Sequence, residues 1–170
     1  MKRRVNRRRF VKGVAAAGAV SALASCGSAP GRWRFLTQKE AELVNLISDQ
    51  IIPRDQDPGA IDAGVVYFID KQLAGPYKRF QRDYREGLVA VEKTCNSMYG
   101  KTFAQLSWNQ QTKALQALES GPSARFFELI RDHCMQGFYG SPRHGGNKDY
   151  VSFRMLGLDY PQIIGQNRYS

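Results

Sequence analysis

Four side chains able to hold a soft metal fall in the second half of the chain: Cys95, His133, Cys134 and His144. A zinc site needs such ligands in tetrahedral array, usually supplied as closely spaced Cys or His pairs. His133 and Cys134 are adjacent, and neighbours on a helix project in different directions, so they make a poor ligand pair. The Cys-x-x-Cys-His run that attaches haem is absent from the sequence. Ser141 and His144 have the residue types of a nucleophile and its base, with no third member and no nucleophile elbow beside them. Gly145-Gly146 could approach a phosphate, yet neither G-x-G-x-x-G nor a P-loop occurs. No metal ligand set and no catalytic group is therefore assigned, and this chain is expected to bind no cofactor itself. Its work is expected to be docking.

The strongest chemical signal lies at the other end. Lys2, Arg3, Arg4, Arg7, Arg8, Arg9 and Lys12 are basic, and no acid interrupts them. An Ala- and Gly-rich apolar stretch, Val14 to Leu23, follows, and small residues close it. This is the order of a signal peptide. The stretch is shorter than the ~20 residues of a membrane-spanning helix. Arg7-Arg8-Arg9-Phe10-Val11-Lys12 matches the twin-arginine pattern, with Arg7, Arg8, Phe10 and Lys12 as its key positions. Such a signal is an address read by a receptor. The expected partner at this step is the twin-arginine translocase, which carries folded cargo, and the expected location is the periplasm. Leu23-Ala24-Ser25-Cys26 also fits a lipobox, which would lipidate Cys26. Cleavage after Ala24 is the competing reading.

Charge has to be counted without this leader. Seven of the 25 basic residues and none of the 15 acidic ones precede Cys26, which leaves 18 against 15. The remainder is close to neutral, so the basic composition does not indicate nucleic-acid binding. The ~145 residues that remain fit one domain. The sequence divides into a signal peptide, 1–26, a tether, 27–35, and a folded domain, 36–170.

The elements that must position these residues read as helices. Thr37 and Glu40 form a capping box, and Leu43, Val44, Ile47 and Ile51 recur at helical spacing until Pro53. A second helix is expected from about residue 60 to Leu73. Tyr77, Phe80, Tyr84, Leu88, Val91, Cys95 and Met98 stripe a third, ended by Gly100. Ser107 with Gln110 opens a fourth, and Ser123 is expected to cap a fifth that carries Phe126, Phe127, Ile130 and Cys134. No stretch alternates with a period of two. The fold class is all-α: a small antiparallel bundle of about five helices. Cys95 and Cys134 lie on apolar stripes, and two readings stay open: buried thiols, or a disulfide between helices three and five.

After Gln136 the texture changes to a Gly- and aromatic-rich segment, expected to be an irregular, ordered loop. Tyr139, Arg143, His144, Gly145, Gly146 and Asn147 are its candidate partner-docking residues, since aromatic and Arg residues are favoured at interfaces.

The order of these motifs resembles a known family. It runs from the twin-arginine leader through Ile51-Ile52-Pro53, Pro58-Gly59-Ala60 and Gly64-Val65 to the third-helix stripe. It ends with Gly137-Phe138-Tyr139-Gly140, His144-Gly145-Gly146-Asn147 and Arg154-Met155-Leu156-Gly157. The chain is similar to subunit 3, the small or gamma subunit, of membrane-bound gluconate 2-dehydrogenase and related sugar and polyol dehydrogenases. The family usually has an aromatic where this chain has His144. The resemblance implies a non-catalytic companion of an FAD-bearing large subunit, with a multihaem cytochrome c subunit passing electrons to quinone. It further implies that the leader exports, and the domain stabilises, the flavoprotein at the inner membrane. The reading from another class is a free-standing periplasmic lipoprotein that binds a small ligand or envelope component.

Overall fold

The computed structural model describes residues 33–158. The leader positions Arg7, Arg8, Phe10 and Lys12, and Cys26, lie outside the described residues. Among them helix is the only regular secondary structure, and no strand forms.

Helix α1 spans Gln38–Ile51. Its start is set as the sequence reads: the Thr37 side chain accepts from the Glu40 backbone N–H, and the Glu40 carboxylate accepts from the Thr37 N–H. These bonds satisfy donors that a helix N-terminus otherwise leaves open. Pro53 cannot continue the ladder, and Ile52 is the C-cap. Helix α2 spans Val65–Leu73, later than the sequence suggests. Residues 60–64 form turns, and Gly64 stands at φ +65° before the helix begins. That left-handed angle costs glycine little and most residues more.

Helix α3 spans Gln81–Tyr99 and ends at Gly100, φ +65°. Tyr77 lies ahead of it, before a 3-10 turn over Lys78–Phe80, because Gly75-Pro76 interrupts the helix ladder. Met98 falls off the buried face and is 43% exposed. Helix α4 spans Trp108–Glu119, opened by the Ser107–Gln110 capping box. Helix α5 spans Ala124–Tyr139. Ser123 precedes it without a side-chain cap bond, in place of the cap expected from its type. A short α6 spans Val151–Met155 within the C-terminal segment.

Helix α5 packs against every other helix and is the axis of the bundle. Its buried face carries Phe126, Ile130, His133, Cys134, Gly137 and Phe138. The helix runs three residues past Gln136, where a glycine-rich loop was expected. Gly137 is there for space: a Cβ would meet the Phe68 ring at 3.1–3.2 Å. It lets α2 and α5 approach closely.

Candidate functional site: the N-terminal anchor and the C-terminal cap

Three consecutive residues of α2 fasten both ends of the described chain. Asp70 is 4% exposed. Its Oδ2 accepts from the Arg34 N–H at 2.8 Å, and its Oδ1 accepts from the Phe35 and Leu36 N–H groups at 2.9 Å each. A buried carboxylate is costly unless hydrogen-bonded, and three backbone donors meet that demand here. Residues 34–36 are thus bound to the domain by their main chain.

A second clamp holds the same segment from α3. Arg85 donates through Nη2 to the Phe35 carbonyl at 2.9 Å, and its guanidinium lies 4.3 Å from the Phe35 ring centroid. Its other terminal nitrogen pairs with Glu40. Burial pushes the Glu40 carboxyl up, but hydrogen bonds from Arg85 and Thr37, with the Arg85 charge, outweigh it and hold the group below its ordinary value. Trp33 adds an aromatic contact, stacked 5.1 Å from Tyr67, and its Nε1–H donates to Gln38 Oε1 at 2.9 Å.

The next two residues of α2 hold the C-terminal segment. Lys71 Nζ donates to the Arg143 carbonyl at 2.6 Å, and Gln72 Nε2 to the His144 carbonyl at 3.1 Å. The Lys148 N–H donates to the Ala63 carbonyl at 3.0 Å. Gly145, φ +111°, passes over the α2 backbone at Tyr67 and Phe68. Gly146 lies directly on Gly137, and a Cβ on it would overlap the Gly137 carbonyl. The two glycines therefore serve close packing of main chain on main chain.

Asn147 locks this cap from beneath. It is fully buried, at φ +45°. Its Nδ2 donates to the Gly140 carbonyl at 2.9 Å, and its Oδ1 accepts from the Ser152 N–H at 3.0 Å. One side chain thus joins the end of α5 to the start of α6. Asp149, φ +54°, and Tyr150, φ +56°, follow with the same left-handed sign. Such backbone persists where its surroundings over-determine it, and it concentrates at functional segments.

The six candidate docking residues separate into two sets. Tyr139, Arg143 and His144 are exposed. Gly146 and Asn147 are buried and Gly145 is half-buried, which makes them the support of the surface instead of its face. Asn147, named among the docking residues, uses both polar ends of its amide inside the fold. Met135 joins the exposed set one helical turn before Tyr139, and Leu156 and Leu158 are exposed beyond α6. Asp70 went unnoticed in the sequence. Its signal was position: it lies four residues after Val66 and three before Leu73, on the buried face of α2.

The metal-ligand types are used otherwise. Cys95 and Cys134 are free and buried, the first of the two open readings. Burial pushes the Cys95 thiol up to about 11, with the Glu92 charge adding to it. Burial pushes Cys134 up to about 12, only partly offset by the hydrogen bond with Ser48, whose Oγ lies 3.3 Å from Sγ. Neither is a ready thiolate at neutral pH. His133 stacks between Tyr77 and Tyr84, with centroids at 4.8 and 5.7 Å, and its Nδ1 lies 2.9 Å from the Tyr84 hydroxyl. Burial lowers its pKa to about 4, with the Asp132 charge opposing and the Arg79 charge assisting. It is a neutral core residue. Among the described residues no three His, Cys, Asp or Glu side chains gather into a metal site.

No curated protein and no solved structure matches the chain. A family model does, over residues 38–159, from the first residue of α1 to just past the C-terminal cap. Its matched span holds α1 through α6, the Asp70–Gln72 fastening and the Asn147 lock, and the chain belongs to that family, gluconate 2-dehydrogenase subunit 3.

Proposed function

We propose that the chain is the non-catalytic small subunit of a periplasmic, inner-membrane-associated flavoprotein dehydrogenase, and that it escorts the large subunit through twin-arginine export. The family match over residues 38–159 carries this reading. The FAD belongs to the large subunit and haem c to a multihaem cytochrome subunit, with quinone as the acceptor. The substrate, a sugar, sugar acid or polyol, is bound by the large subunit. This chain contributes a docking face and an address.

Two further observations support the reading. The leader pattern at Arg7, Arg8, Phe10 and Lys12 belongs to a route that passes folded proteins. A flavoprotein loaded with FAD before export needs such a route. The segment that follows the leader is fastened to the domain at residues 34–36 by Asp70 and Arg85. A partner seated on the domain is thereby mechanically joined to the address. If Cys26 is lipidated, it supplies an additional membrane anchor, which gains strength from a second attachment such as the complex.

Co-purification tests this. The chain, tagged after its last residue and extracted from membranes, is expected to bring down a flavoprotein with flavin absorbance in stoichiometric amount. A flavin-free, partnerless chain in the eluate would favour the free-standing lipoprotein instead.

A further inference from the structure

We propose that the groove between α3 and α5 binds the basic leader of the same chain, residues 2–12. The groove has a volume of about 380 Å³. Asp83 and Glu86 of α3 line one side, and Glu128 and Asp132 of α5 line the other. Phe126 and Leu129 supply an apolar floor. Gly87 lets the floor form: a Cβ there would overlap the Phe126 ring. Of the four acids, Glu86 is paired with Arg82, while Asp83, Glu128 and Asp132 make no ion pair with any described residue. Arg125 is the one basic residue in the lining.

Charge, position and reach select the occupant. The leader carries seven basic residues, no acid, and the apolar pair Phe10-Val11 for the floor. The segment that leads to it is bound to one of the two helices that form the groove: the Phe35 carbonyl is held by Arg85 of α3, on a different side of that helix from Asp83. Twenty residues separate Lys12 from Trp33. Extended, they reach ~65 Å, and as a coil ~25 Å, against a radius of gyration of ~14 Å for a domain of this size. A tethered segment experiences an effective concentration of about a millimolar, so even weak charge attraction gives substantial occupancy. A leader held in the groove is not free for a receptor, and anything that covers the groove frees it.

This inference rests on the groove's acids and on the charge and reach of residues 2–12, and its consequence for a receptor rests on the proposed export role. Its failure leaves the export reading standing, because that reading is tested by where the flavoprotein goes. The test is trypsin cutting of the intact chain after Arg7–Arg9, followed by mass spectrometry, with a synthetic peptide of the leader cut under identical conditions as reference. At low salt the leader in the chain is expected to be cut about tenfold more slowly than the peptide. At ~0.5 M salt the two rates converge, because surface charges are then screened within a few Å. The combined variant Asp83→Asn, Glu128→Gln, Asp132→Asn is expected to lose the protection with an unchanged melting curve. Should that variant not fold, excess peptide added to the unaltered chain at low salt is expected to expose the tethered leader to cutting. A leader cut at the peptide's rate at low salt overturns the proposal. So does protection that persists in the folded triple variant. Protection that vanishes on dilution also overturns it, by assigning the groove to the leader of a second copy.

Discussion

Asp70→Ala should release the tether while leaving the bundle standing. The carboxylate accepts three main-chain hydrogen bonds, at 2.8, 2.9 and 2.9 Å, from consecutive residues of one segment. Hydrogen bonds to a charged group contribute about 1.5–3 kcal/mol each, so a simple sum over three would be about 4.5–9 kcal/mol. Two effects reduce it. The variant removes the desolvation of a buried charge together with its partners, and the Arg34 and Phe35 N–H groups can turn to water once the segment lifts. The Leu36 N–H is buried and pays in full. We expect about 2–4 kcal/mol by denaturant unfolding, with the loss confined first to residues 33–36. Trp33 reports it, because it stacks on Tyr67 next to the clamped residues. Its fluorescence should shift to the red, and amide exchange at residues 34–36 should accelerate ahead of α1. Asp70→Asn keeps one acceptor and should give an intermediate effect. An Asp70→Ala protein with unchanged Trp33 emission and unchanged exchange at residues 34–36 would refute the clamp.

Other outcomes follow from the same geometry. Gly146→Ala places a methyl against the Gly137 carbonyl and should lift the cap from α5, costing about 2–3 kcal/mol in thermal unfolding and weakening partner capture. Ser152 Oγ is buried without a hydrogen-bond partner, so Ser152→Ala should be neutral or stabilise by up to about 1 kcal/mol, measured by chemical denaturation. His133 gives a pH dependence of definite sign. Its folded pKa of about 4 is below the ordinary 6.5, so between these values the unfolded chain takes up a proton that the native one refuses. Stability is then complete above pH 6.5 and falls toward pH 4. Each unit is worth at most about 1.4 kcal/mol, and with screening we expect about 2 kcal/mol lost between pH 6.5 and 4.5. His133→Gln should flatten that window. Glu40 acts lower: its depressed pKa adds stability present above 4.5 and lost as pH falls through the folded value.

What the sequence discloses and what it hides differ by range. The Thr37–Glu40 and Ser107–Gln110 boxes are local, spanning three residues, and both form as read. The apolar stripes of α1, α3 and α5 are likewise local and mark the buried faces. Asp70 binds residues 34 to 36 positions earlier, so nothing near it in the chain names its partners. Gly137 misleads for a related reason. Glycine reads as loop when the need is conformational, but here the need is space for Phe68, a residue on another helix. Asn147 and the Gly145-Gly146 pair stand among the docking candidates because they share a segment with Tyr139 and Arg143. Their role emerges only once α2 and α5 lie side by side beneath them.

Two segments far apart in sequence meet on α2. Asp70 holds residues 34–36, and Lys71 with Gln72 holds the cap that presents Arg143 and His144. In the proposed export role, a partner docked on the cap would be connected through one short helix to the leader. If the leader serves the partner as well as the chain itself, the location of the large subunit depends on Arg7 and Arg8. In cells whose small subunit carries Arg7→Lys and Arg8→Lys, the flavoprotein is expected to remain in the cytoplasm with its FAD bound. Its appearance in the periplasm in unaltered amount would show that it does not travel on this leader.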